Sequence, residues 1–199
     1  MTHPATLPHP EGCPLVFVRH GATEPNLAGL RCGGDLDVPL TATGRQEATR
    51  AGQRLREQGV RIGVIVSSDL LRTRETAAII AKEIDAVEIV IEPAFAERYL
   101  GTWNLLPIDE TAPWLARGLV PPGGESDSAF EHRIASAVQT LLPRCAHRPL
   151  LVGSKGVARV LGELLSAPER AGLVNGELAR FDLHRLARRH THATSGCAA

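Results

Sequence analysis

Four consecutive apolar residues, Leu15-Val16-Phe17-Val18, run straight into Arg19-His20-Gly21. A short run rich in branched and aromatic side chains, with no polar alternation, reads as a strand buried on both faces. Its abrupt end makes that strand open into a loop. Two more runs have the same form. One covers 62–66 and stops at Ser67-Ser68-Asp69; the other, Leu150-Leu151-Val152, stops at Gly153-Ser154-Lys155-Gly156. Helical spacing fills the intervals. Residues 41–59 read as a helix, with Thr43-Gly44-Arg45-Gln46 fitting a capping box and Ala48, Ala51 and Leu55 recurring on one face. Residues 70–84 turn Leu70, Ala77 or Ala78, and Ile84 inward. Residues 129–142 form a helix ended by Pro143, and 157–165 one stopped before Pro168. Residues 87–91 alternate like a strand, and 177–183 fit a final edge strand. The Pro- and Gly-rich stretch 93–126 reads as irregular, with one short helix near Trp114. Strands alternating with helices define an α/β layered domain. In such a sheet, ligands collect where strands end in loops.

At 199 residues and 43% hydrophobic, the chain has the size and composition of one globular domain rather than a disordered segment. The expected boundaries are a loose arm over 1–13, a domain over 14–188 and a disordered tail over 189–199. Basic and acidic residues number 22 each, so no global field draws the protein to nucleic acid or to an acidic membrane. Any anion site has to be local. The first twelve residues lack the apolar core of a signal peptide, and no run reaches membrane-span length. Cys13, Cys32, Cys145 and Cys197 form no C-x-x-C pair and stand near no histidine cluster. They read as mostly reduced thiols in a cytoplasmic protein. A homodimer is compatible with the sequence.

Phosphoryl transfer needs a nucleophile and a set of donors for the equatorial oxygens. His20 at a strand end supplies an imidazole. Arg19 supplies a planar fork matched to phosphate, and Gly21 lets the backbone come close. A lone histidine is more often structural; its Arg and Gly neighbours tip this one toward function. Arg72 falls in the first turn of the 70–84 helix, near free amide groups, while Arg74 points about 200° away and reads as solvated. Glu97, in Phe95-Ala96-Glu97-Arg98, is a candidate for delivering a proton to the leaving alkoxide.

Together these segments resemble the histidine phosphatase superfamily, which includes the phosphoglycerate mutases. Val18 to Gly21 with Thr23 and Asn26 looks like that family's R-H-G signature. Gly34, Asp37-Val38-Pro39-Leu40-Thr41, Gly44 and Ala48 resemble the approach to its first helix, and Ser67 to Thr73 its second arginine motif. Glu97-Arg98 with Gly101 and Trp103 resembles its acid motif, and Gly123-Gly124-Glu125-Ser126 with Arg133 its late G-E-S segment. The resemblance runs from about residue 15 to about residue 183. It implies a three-layer αβα sandwich with a mostly parallel central sheet. It implies that His20 is the phosphorylated nucleophile, Arg19 and Arg72 phosphate binders, and Glu97 the proton donor and later the base. Gly21, Thr23 and Asn26 would help to bind substrate. No metal and no cofactor is implied, and the partner is a small phosphorylated metabolite.

One departure is serious. Where the family has a second histidine in a pattern like S-H-G-G-V, this chain has Gly153-Ser154-Lys155-Gly156-Val157. Ser154 takes the histidine's place and Lys155 that of a glycine. Loss of one preorganised donor typically costs ~10²–10³ in rate, which Lys155 compensates only if it turns inward. Asn104 stands where W-E-G is common. The leading expectation is a phosphatase. The alternatives are an impaired member that only binds a phosphorylated ligand or a partner, and, ranked lower because the middle of the chain is short, a mutase. On this reading the cleft lining comes partly from Trp103, Trp114 and the Pro-Gly segment.

Overall fold

The structure, a computed structural model, describes residues 12–84, 88–167 and 172–186. The arm up to residue 11, residue 87 of the expected third strand and the 189–199 tail lie outside the described residues. Five strands, β1 (Pro14–Arg19), β2 (Val64–Ser67), β3 (Glu88–Ile91), β4 (Pro149–Gly153) and β5 (Leu178–Asp182), form one sheet in the order β3-β2-β4-β1-β5. The pairs β3/β2, β2/β4 and β4/β1 are parallel, and β5 runs antiparallel along β1 as the edge. The mostly parallel α/β sheet is thus present.

The uninterrupted apolar strands are explained by burial on both faces. Val16 and Val18 of β1, Ile65 of β2, and Leu150 and Val152 of β4 pack against α2 (Ala42–Glu57) and α3 (Leu71–Glu83) through Ala51, Leu55, Ala77 and Ile80. Leu15, Phe17, Val66 and Leu151 point the other way, into a core shared with α5 (Asp127–Gln139) and α6 (Lys155–Leu164) through Phe130, Ile134, Val157 and Leu161. Each such fully buried side chain contributes about 1.5–3 kcal/mol of transfer free energy.

Several boundaries differ from the sequence reading. The cap of α2 is Thr41, not Thr43: Thr41 is extended and its Oγ1 accepts from Gly44 N at 3.0 Å, while Thr43 already lies inside the helix. A short helix α1 (Glu24–Leu27) was not anticipated. The helix near Trp114 is α4 (Ile108–Ala116). Two corrections concern cysteine. Cys13 is no part of a loose arm; it is buried, and its carbonyl accepts from Leu183 N at 3.0 Å. It is also bonded to Cys145, so these two are not reduced thiols; Cys32 is free. The reason is topological. Parallel β1 and β4 are neighbours in the register Val16 to Leu150, so the segments that enter them begin side by side.

Candidate active site

The site is assembled by the sheet. The β1/β4 register pairs Arg19 with Gly153, and His20 N donates to Gly153 O at 2.9 Å, so one further residue sets His20 level with Ser154. The loop after β5's neighbour β1 is pinned from beneath. Asn175 Nδ2 donates to His20 O at 2.9 Å and to Asn26 Oδ1 at 3.3 Å. Gly21 is packed against α2, where a Cβ would stand 2.1 Å from Gly44 O. The absence of a side chain at position 21 therefore answers to this helix contact.

His20 is 4% exposed. Its Nδ1 lies 2.8 Å from Gly21 O, and a carbonyl can only accept, so Nδ1 carries the proton and Nε2 keeps its lone pair. Burial, reinforced by the nearby charges of Arg72 and Arg19, holds the imidazole well below its ordinary pKa, against the opposing pull of the Gly21 carbonyl. A neutral ring with Nε2 unprotonated is the form that attacks phosphorus.

His20 lines a cleft of about 610 Å3 together with Arg19, Asn26, Arg31, Glu97 and Lys155. Arg19 donates from Nη1 to Leu173 O at 2.8 Å, and its buried Nε has no partner within the protein. Desolvation lowers its pKa while Glu97 and Glu47 raise it. Glu97 Oε2 accepts from Gly156 N at 2.9 Å, and Oε1 accepts from Arg98 N at 2.7 Å. The loop carrying Glu97 is held by Arg133, which donates to Ala94 O and Ala96 O at 2.9 Å each and to Glu97 O at 3.2 Å, and pairs with Glu125.

Of the other expected residues, Arg72, Thr23 and Ser154 sit around this group without lining the cleft, and Lys155 lines it. Arg72 is fully buried. Its Nη1 and Nη2 donate to Leu36 O at 2.8 Å and Gly33 O at 3.0 Å, because a guanidinium removed from water has to satisfy its donors. Its Nε remains without a partner. Arg74 is exposed. Thr23 is buried beneath Asn26 and donates its backbone N–H to Asn26 Oδ1 at 3.3 Å. Ser154 caps the start of α6 with its Oγ buried and unpartnered, and the exposed Lys155 enters the cleft beside it. Trp103 and Trp114 do not line the cleft as expected. They pack on each other, 5.1 Å between ring centroids, while Leu100 and Leu115 line the cleft. Asn104 is likewise structural, receiving Gly33 N at 2.7 Å and donating to Asp35 Oδ1 at 2.8 Å.

Sequence reasoning missed Gly156, whose amide receives Glu97 and whose added Cβ would stand 2.0 Å from Glu97 Oε1. It also missed Arg31, Asp127 and Arg159 in the cleft wall. Only Gly156 left a trace, as one glycine of the altered S-H-G-G-V pattern. Among the described residues no group of three His, Cys, Asp or Glu is placed to hold a metal, and no helix is long and apolar enough to cross a membrane.

Residues 15–193 match the model of the histidine phosphatase superfamily, branch 1. The chain belongs to this superfamily. The chain is 37% identical over 187 residues to the probable phosphoglycerate mutase GpmB of Serratia proteamaculans, with 84% of each covered. It is similar in structure to a mycobacterial glucosyl-3-phosphoglycerate phosphatase complexed with VO3, at 29% identity and TM-score 0.69 over 84% of this chain and 90% of that one. A putative alpha-ribazole-5'-P phosphatase from Escherichia coli shares the fold at TM-score 0.72 and 24% identity, over 85% of this chain and 90% of that one. Superfamily members of both names, phosphatase and mutase, are thus among its relatives.

Proposed function

We propose that this superfamily member hydrolyses a phosphate monoester of a small metabolite through a phosphohistidine on His20. The observation that carries the reading is the Nδ1 contact with Gly21 O, which in a buried neutral ring leaves Nε2 as the nucleophile within the cleft that holds Glu97. Nε2 attacks phosphorus, the ester P–O bond breaks, and Glu97 gives its proton to the departing alkoxide. The carboxylate then takes a proton from water as that water attacks phosphorus, the P–N bond breaks, and phosphate leaves. Arg19, with Nε unspent, Ser154 Oγ, the Arg72 Nε and the Lys155 ammonium are the candidate donors to the phosphoryl oxygens, and Asn26 orients the rest of the substrate. Ser154 with Lys155 replaces the single donor that a second histidine gives.

A second reading is a mutase. The argument that the middle of the chain is too short has no force against the GpmB relatives, 84% of whose length it covers. In that reading water is excluded and the phosphoryl group returns to substrate. A protein that binds without turnover is the third reading, and Ser154 is what favours it. The cytoplasmic expectation lost part of its support when Cys13 and Cys145 proved to be bonded.

The test is turnover of p-nitrophenyl phosphate and a panel of sugar and carboxylic phosphates, with acid-labile phosphate trapped on the protein by rapid quench. The wild type should hydrolyse and trap label, and His20→Ala should do neither. Equal inertness of both proteins on every substrate, with a ligand still bound, overturns the reading. Interconversion of phosphoglycerates without net hydrolysis selects the mutase.

A further inference from the structure

The cleft is much larger than a phosphoryl group, and five of its lining residues are large apolar side chains. A phosphoryl group fills roughly 100 Å3, a few waters' share of volume, against about 610 Å3 available. The five apolar residues are Leu30, Leu100, Ile108, Leu115 and Phe130, which share the lining with Arg31, Arg98, Asp127 and Arg159. Ile108 and Leu115 stand at the two ends of α4, one turn-pair apart on the face toward the cleft. This helix is tied to the cleft floor by Arg31, whose Nε donates to Thr111 Oγ1 at 2.7 Å and whose Nη2 donates to Ile108 O at 3.3 Å. Leu30 bridges to Pro107, the residue before α4.

The arginines that share this lining are largely engaged already. Arg98 pairs with Asp127 at 3.3 Å and donates to Glu125 O at 3.0 Å. Arg159 pairs with Asp127 at 2.6 Å, Glu131 at 3.2 Å and Glu163 at 3.1 Å. Two of the three Arg31 nitrogens are spent on α4. Lys155 has no ion pair among the described residues, and it stands at the Ser154 end, where the phosphoryl group is expected. A second anionic group on the substrate would find near α4 hydrocarbon and guanidinium groups that carboxylates or α4 itself already occupy.

Building on the phosphoryl-transfer reading of this cleft, we propose that the substrate is the phosphate ester of a bulky, largely apolar alcohol, recognised by α4 through Ile108 and Leu115, rather than a short polyanionic phosphate such as a phosphoglycerate. Burying an aryl or branched alkyl group against five apolar side chains supplies binding that a three-carbon acid cannot match. Arg31 acts here as a positioning residue for α4.

Binding separates this inference from turnover. Calorimetric titration of the wild type with (1-naphthylmethyl)phosphonate, methylphosphonate and 3-phosphoglycerate needs no chemistry. The naphthyl compound should bind about tenfold or more tighter than either of the others. Leu115→Asp should weaken it by about tenfold and weaken methylphosphonate by less than about threefold. Circular-dichroism melting checks that this variant, altered on a partly exposed helix face, is folded; if it is not, the three wild-type affinities decide alone. Equal affinities, or a preference for 3-phosphoglycerate, overturn the inference even where phosphohistidine is trapped and the phosphatase reading stands. Failure of all three to bind overturns both.

Discussion

At position 20 the protein needs an imidazole that is both buried and unprotonated, and two contacts supply this. The Gly21 carbonyl selects the tautomer, while burial and the charges of Arg72 and Arg19 keep the second proton off. The acid limb of kcat/KM should therefore lie well below the ordinary imidazole range near pH ~6.5; a limb at that value in a pH-rate profile would contradict the arrangement. The same depressed pKa makes a stability prediction. The unfolded chain takes up a proton at position 20 below about pH 6.5 and the folded chain does not. Stability contributed here is complete above that pH and declines as pH falls toward the folded pKa. In urea melts the wild type should lose more stability between pH 7.5 and pH 5 than His20→Gln does. Gly156 is a second single-residue device. A Cβ there collides with Glu97 Oε1 at 2.0 Å, so Gly156→Ala should displace the carboxyl and cost ~10²–10³ in kcat on alkyl phosphates. The loss should be far smaller on p-nitrophenyl phosphate, whose leaving group needs no proton.

Among the elements, the segment from Pro93 to Trp103 matters most, because between its two single 3-10 turns, Pro93–Phe95 and Gly101–Trp103, it has no regular structure and still has to hold Glu97 to within a hydrogen bond. Three carbonyl contacts from Arg133 of α5 and its pairing with Glu125 substitute for a ladder. On the other side Asp35 accepts from Leu100 N at 2.9 Å, Gly101 N at 2.6 Å and Asn104 Nδ2 at 2.8 Å. Burial opposes ionisation of Asp35, yet these donors outweigh it and lower its pKa. Arg133→Ala leaves the three carbonyls and Glu125 short of a donor. It should cost about 2–3 kcal/mol, discounted for the partial exposure of the pair, and should lower kcat, both readable from denaturant melts and steady-state rates. A variant as stable and as active as wild type would show that the loop holds itself. The S-H-G-G-V-like and G-E-S segments were legible as motifs, but that the late arginine clamps the acid loop is invisible in one dimension, since Arg133 lies 36 residues from Glu97.

For the whole molecule, the pairing of Cys13 with Cys145 closes a span of 132 residues. In the chain-entropy model such a loop contributes up to about 4–5 kcal/mol through the unfolded state. A reductant, or Cys145→Ser, should therefore lower Tm by several degrees, with no additive effect of the two and little change in kcat, because the bond lies at the opposite end of the strands from His20. An unchanged Tm under reductant would show that the two thiols are not joined. The sequence by itself determined the α/β class, both-face burial of Leu15 to Val18, the helices beneath them, and the local identity of His20, Arg19 and Glu97. These follow from periodicity and side-chain chemistry, which act over a few residues. Only the tertiary structure decided the strand order, the tautomer of His20, the burial of Arg72 against the 33–36 loop, the apolar wall of α4 and the cystine. Each of these depends on which distant segments the parallel crossovers bring side by side, and a crossover leaves no mark in the residues it joins.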